Sequence, residues 1–161
     1  EYDGARPAGN SSAAMNLLRL EVLTGERAYG ARAEKLFAAF AEPLNGAGHA
    51  LPGMLAALDF AHDTPREVVL VQTAADPGEA LAAAVGEAFL PSRGLVTLAP
   101  GAKPPAAWAK GKVAQGGKAT VYVCEAGRCE RPTSDPKVVA EQLAKAHPLL
   151  PEQQPAPLKA P

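Results

Sequence analysis

The sequence predicts an α/β protein: a helical hairpin plus a third helix, then a small three-stranded βαβ-type sheet with flanking helices. Three observations lead there. Apolar residues recur at helical spacing from about residue 10 to residue 62. The period then changes to a short β-branched run beginning at Glu67, and two Asp-Pro pairs, Asp76-Pro77 and Asp135-Pro136, each follow a turn and open a helical pattern. The expected division falls near residue 64, giving a helical segment 1–64, an α/β domain 65–147 and a proline-rich tail 148–161 read as extended or disordered.

Residues 10–24 read as the first helix, with Asn10, Ser11 and Ser12 available to its first-turn amides and Gly25 as its stop. Ala14, Leu17, Leu18 and Val22 form its apolar stripe, with Arg19 turned outward. A second helix, about 26–41, buries Ala33, Leu36, Phe37 and Phe40. So short a connection makes the two helices antiparallel neighbours. A glycine-rich loop, 43–51, leads to a third helix that Pro52 starts, with Met54, Leu55, Leu58 and Phe60 on its apolar face.

Residues 67–72 form a strand buried on both faces. Asp76, Pro77 and Glu79 then read as cap, first helical position and capping-box partner of an alanine-rich helix reaching about Phe89. Leu95–Ala99 is the next strand, so strand, helix and strand make a βαβ unit with parallel pairing. A loop with a single turn near Trp108 fills 100–118. Ala119–Cys124 is the third strand, and Asp135-Pro136 opens a last helix to about His147.

Composition narrows the function. With 16 basic and 17 acidic residues the formal net charge is −1, and no basic face for a nucleic acid is visible. No apolar run approaches the roughly 18–20 residues of a membrane span, and no signal-peptide pattern opens the chain. A cytoplasmic placement with no nucleic-acid or membrane partner is expected. Alanine supplies much of the 47% hydrophobic content and aromatics only 5%, which favours close-packed helices over a deep aromatic pocket. The chain begins at Glu1 and its first methionine is Met15, so a piece of something longer is expected.

Few motifs carry chemistry. Cys124 and Cys129 are spaced C-x4-C at the exit of the third strand. They read as reduced thiols or as a disulfide closing the Glu125–Arg128 turn, and a redox role is one hypothesis. A thioredoxin-type pair needs C-x-x-C at a helix start, and zinc needs two further ligands, so no metal is expected. His49 lies in a loop, while His62 and His147 sit at helix ends, where an imidazole interacts favourably with the helix C-terminus. The turn after the first strand lacks a phosphate-loop pattern and no G-x-S-x-G elbow occurs. No cofactor is expected. The polar opening segment, residues 1–10, supplies two carboxylates, Glu1 and Asp3, and the amide Asn10, just before the helical hairpin.

Asp3-Gly4-Ala5-Arg6-Pro7-Ala8-Gly9-Asn10-Ser11, then Asn16-Leu17-Leu18-Arg19-Leu20 and Leu23-Thr24-Gly25, resembles a signature of the YyaL/spermatogenesis-associated thioredoxin-domain family. The stretch from Ala119-Thr120-Val121-Tyr122-Val123-Cys124 to Cys129, Pro132 and Asp135-Pro136 resembles that family's C-terminal element. Ala8 replaces the usual serine, and Arg6 stands where an acidic residue is common. The resemblance implies that this chain is the C-terminal part of a longer protein, whose earlier part holds a thioredoxin-like domain absent here. It also implies that the three helices close an α/α toroid like that of six-hairpin glycosidases, with the α/β unit as a terminal appendage. The Asp3–Asn10 segment would then face the toroid's cavity, making Asp3 and Asn10 candidate sugar ligands and Asp3 and Glu1 candidate catalytic carboxylates.

Three functions follow as expectations. The first is a non-catalytic toroid wall and interaction module, partnered by the missing N-terminal part and prone to self-association through an exposed helical face. The second is a share in a carbohydrate-binding or carbohydrate-processing site. That chemistry uses paired carboxylates, and Glu1 and Asp3, alternate residues of an extended segment, point apart. The third is a thiol redox role for Cys124 and Cys129.

Overall fold

In the computed structural model, which describes residues 2–145, the chain divides between Asp63 and Thr64 into two compact units. Six α-helices and four strands are present among the described residues. Glu1, His147 and the 148–161 tail lie outside them.

The first unit is helical. Helix α1, Gly9–Thr24, packs against both α2, Arg27–Ala39, and the later α4, Pro52–His62. Gly25 ends α1 in the left-handed conformation (φ 76°), its N–H donating to the Glu21 carbonyl. Ala14, Leu18, Ala33, Phe37, Leu44, Leu51, Met54, Ala57 and Phe60 make the core. Small residues at Ala14, Ala33 and Ala57, all fully buried, let the helices approach closely. Gly30 does the same on α2, where the Glu21 side chain occupies the space a methyl group would need.

Two expectations for this unit are corrected. Residues 43–51 are not a glycine-rich loop: helix α3, Ala41–Ala47, and a 3₁₀ turn, Gly48–Ala50, occupy them. Pro43 sits within the first turn of α3, where its missing N–H costs no intrahelical bond. On α4 the core position falls to Ala57, while Leu55 is half turned to solvent, its side chain over Gly48.

The second unit is a four-stranded mixed sheet with helices on one face. Strand β1, Arg66–Val71, pairs in parallel with β2, Arg93–Leu98, and antiparallel with β3, Thr120–Glu125. The two-residue β4, Arg128–Cys129, adds to the far edge of β3, giving the order β2-β1-β3-β4. β4 did not appear in the sequence pattern because a turn makes it: Ala126 (φ 46°) and Gly127 (φ 77°) both take positive φ, the backbone of a two-residue hairpin. Val68, Leu70, Val121 and Val123 point to one face and are buried there with Leu81 and Val85 of α5, Glu79–Glu87, and Val139 and Leu143 of α6, Pro136–Ala144.

Both strands of the parallel pair begin with an arginine that holds a helix end. Arg66, 8% exposed, donates Nη1–H to the Leu143 carbonyl at 2.5 Å and Nη2–H to the Lys145 carbonyl. Its register partner Arg93 donates to the Val85 and Ala88 carbonyls at 2.9 and 3.4 Å. The unpaired carbonyls at the ends of α6 and α5 thereby meet fixed positive charge.

The two Asp-Pro devices differ in outcome. Asp135 caps α6 as expected, accepting the Lys137 N–H at 2.9 Å. Asp76 does not cap α5, which begins two residues after Pro77, at Glu79, behind a left-handed Gly78. Asp76 instead accepts the N–H of Gly78 and, with its other oxygen, that of Ala119, both at 2.9 Å, tying the turn to the start of β3. The helix ends at Glu87, and Phe89 beyond it is 92% exposed.

Candidate functional site

Two constellations hold the residues singled out by sequence, one in each unit. In the helical unit, Asp3 is the hub. Its backbone N–H donates to the Ala50 carbonyl at 2.9 Å, which fixes the opening segment beside the start of α4. The side chain then collects four donors. Oδ1 accepts the Ala8 N–H at 2.5 Å, while Oδ2 accepts the Ser11 hydroxyl at 3.1 Å and the N–H groups of Gly53 and Met54 at 2.8 and 3.3 Å.

This carboxylate replaces the caps the sequence seemed to offer. Neither α1 nor α4 has a side-chain cap at its own N-cap residue, Ala8 or Leu51. Asn10, Ser11 and Ser12 therefore do not cap α1. They already lie inside its first turn, and Ser11 turns inward, 2% exposed, to donate to Asp3. Gly53 and Met54 are first-turn residues of α4, so an anion at Asp3 also meets the positive end of that helix. Gly53 leaves room for it: a methyl group there would stand 3.1 Å from Asp3 Oδ2 and 3.2 Å from the Ser11 Cβ. Partial desolvation alone would raise the Asp3 pKa. The donors from Ala8, Ser11, Gly53 and Met54 outweigh it and hold the carboxyl below its ordinary 3.8. Asn10 stands half-buried in the first turn of α1.

In the α/β unit, Cys124 and Cys129 face each other across β3 and β4 and are joined as a disulfide. Of the two sequence readings, the turn-closing bridge is the one present. Glu67 of β1 is the register partner of Cys124, so Glu67, Cys124 and Cys129 form a row across three strands, on the face away from α5 and α6. Lys112 and Val113, in the connection between β2 and β3, lie over that face as a strap. Tyr122 fastens it by donating its hydroxyl to the Val113 carbonyl at 2.7 Å. The neighbouring Lys112 places Nζ 3.2 Å from Cys129 Sγ and 5.1 Å from the Tyr122 ring centroid. Burial raises the Glu67 pKa above its ordinary 4.5, with the positive charge of Lys112 pulling the other way.

Sequence reasoning missed Lys112, Glu67 and Gly53. Strand alternation could have put Glu67 and Tyr122 on one face, but no local signal places a strap lysine over a disulfide. His49 lies exposed in the 3₁₀ turn, and His62 is the last residue of α4. Among the described residues no group of three or more His, Cys, Asp and Glu side chains is arranged for a metal ion. No described helix is long and apolar enough to cross a membrane.

Over 144 aligned residues the chain is 32% identical to spermatogenesis-associated protein 20 of Homo sapiens, covering 84% of this chain and 18% of that protein. The proteins of that name from Rattus norvegicus and Mus musculus are 32% and 31% identical over the same shares. The chain thus spans less than a fifth of the length of these relatives. No protein-family model matches the chain. No solved structure matches it.

Proposed function

We propose that this chain is a piece of a longer protein of the spermatogenesis-associated protein 20 family, in which it acts as a non-catalytic wall and interaction module. Similarity over 84% of the chain, against only 18% of the human relative, supports the piece-of-a-whole reading. The three main helices are the closing elements of a helical toroid supplied by the rest of the parent, and the α/β unit is an appendage to it.

One observation carries the structural role. Asp3, the carboxylate with the strongest claim to chemistry, accepts four internal donors that join the starts of α1 and α4. Glu1, its candidate catalytic partner, lies outside the described residues. A sugar hydroxyl at Asp3 Oδ2 would compete with Ser11, Gly53 and Met54 for the same oxygen. The carbohydrate reading is tested by incubating the chain alone with a panel of aryl glycosides and by titrating it with mono- and disaccharides in a calorimeter. No turnover and no binding heat are expected. Hydrolysis, or sugar binding lost in Asp3→Asn, would replace the structural reading with the carbohydrate one.

A further inference from the structure

The row Glu67–Cys124–Cys129 is left unused by a structural role. A bridge kept only as a staple adds little here, because the cysteines are five residues apart in a hairpin already closed by its own turn, and stabilisation grows with the loop enclosed. The two sulfurs also differ in surroundings. Cys124 is 2% exposed and pairs in register with Glu67 of β1, whereas Cys129 is an exposed edge residue with Lys112 Nζ 3.2 Å from its sulfur. The lysine is not there by chance of a floppy side chain. Its neighbour Val113 is pinned by Tyr122 through both its carbonyl and its N–H, and the ammonium rests over the Tyr122 ring.

We propose that Cys124–Cys129 is a disulfide built for exchange with an external dithiol, attacked at Cys129, with Lys112 as the group that draws in the attacking thiolate and stabilises the Cys129 thiolate on release. The thiolate of the dithiol attacks Cys129 Sγ and forms a mixed disulfide. The Cys124–Cys129 bond breaks, its electron pair passes to Cys124 Sγ, and that sulfur takes a proton from water. The second thiol of the reductant, once deprotonated, then attacks the reductant sulfur of the mixed disulfide and frees Cys129 as a thiolate beside Lys112. The dithiol is oxidised to its disulfide by two electrons and the protein pair is reduced by two. In the reduced pair Cys124 lies buried, which favours its thiol form, while Cys129 lies exposed beside the Lys112 ammonium, which favours its thiolate. The Lys112 ammonium beside Cys129 attracts the attacking thiolate in the first step and makes Cys129 the better leaving group in the second.

Dithiothreitol is the probe, with free thiols counted by maleimide labelling and mass spectrometry of the folded chain at neutral pH. Reduction under native conditions is expected, with the thermal midpoint recorded in parallel. Lys112→Met should slow it roughly three- to tenfold, the range of losing one positive charge beside the attacked sulfur, while Lys112→Arg restores the wild-type rate. Neither variant should move the midpoint, which separates an electrostatic role from a packing role. In Cys124→Ser, Cys129 should take up glutathione from its disulfide, whereas in Cys129→Ser the remaining Cys124 should not. A wild-type bridge reduced only on unfolding, or a Lys112→Met chain reduced at the wild-type rate, would overturn the proposal.

Discussion

Replacing Asp3 by alanine removes one acceptor from four donors at once. Two of them, Gly53 and Met54 N–H, are first-turn amides of α4 with no cap of their own, at 2.8 and 3.3 Å, and the Ala8 N–H precedes α1 at 2.5 Å. Loss of one helix cap costs about 1 kcal/mol, up to about 2. Hydrogen bonds to a charged group are worth roughly 1.5–3 kcal/mol each when well shielded. Asp3 is only half-buried and its bonds share one carboxylate, so the sum is not additive. About 2–3 kcal/mol for the helical unit is the working figure, two helix starts counted at the upper cap value and discounted for solvent. Urea unfolding followed by far-UV circular dichroism reads the total. Native-state hydrogen exchange at Ala8, Gly53 and Met54 reads the site itself, and all three amides should lose protection. The pH dependence has a definite sign. A carboxyl held below its unfolded value of about 3.8 contributes fully above that value, and the contribution disappears as pH falls through the lower folded pKa. Wild type and Asp3→Ala should therefore differ most near neutrality and converge in strong acid. A change under about 0.5 kcal/mol at neutral pH, with unaltered exchange at Gly53 and Met54, would refute the anchoring role.

Further substitutions test other joints. Gly53→Ala puts a methyl group 3.1 Å from Asp3 Oδ2, so it should destabilise by about 1 kcal/mol in wild type and by less in Asp3→Ala, a non-additivity that a double-mutant cycle in urea measures. Gly78→Ala faces both a positive φ of 72° and an Ala119 Cβ 2.9 Å away, and should cost about 2–3 kcal/mol in the α/β unit. Arg66→Met keeps the apolar stem but strands the Leu143 and Lys145 carbonyls. A loss of about 2–3 kcal/mol is expected, together with faster exchange across the last turn of α6. Equal stability of Arg66→Met and wild type would mean that water replaces the guanidinium at that helix end.

The elements with strong periodicity were legible. The β-branched run of β1 and the 3.6-residue stripes of α1 and α2 are local properties, and the parallel β1–β2 pairing followed from the helix between them. What escaped was decided by partners distant in sequence. Asp3 acts on α4 from fifty residues away, so no pattern near Pro52 announced its cap. Asp76 looked like a local cap, but the amide of Ala119 takes its second oxygen and helps end the turn before the helix begins. Helix α3 was hidden because Pro43 and Gly46 read as loop residues, although a proline in a first turn costs nothing. At the cysteines the spacing left thiol and disulfide both open. A two-residue turn with positive φ at Ala126 and Gly127 brings the pair into register, and alanine gives little hint of such a conformation. Lys112 reaches Cys129 only because the strap folds back across the sheet.

The proposed role makes this chain a structural piece completed by the rest of a longer protein. Calorimetric titration of the chain with the separately produced remainder of the parent protein tests it most directly. Saturable one-to-one binding, micromolar or tighter, is expected, weakening when Asp3→Ala loosens the helix starts. No binding heat between two folded polypeptides, with the chain remaining a monomer, would contradict it.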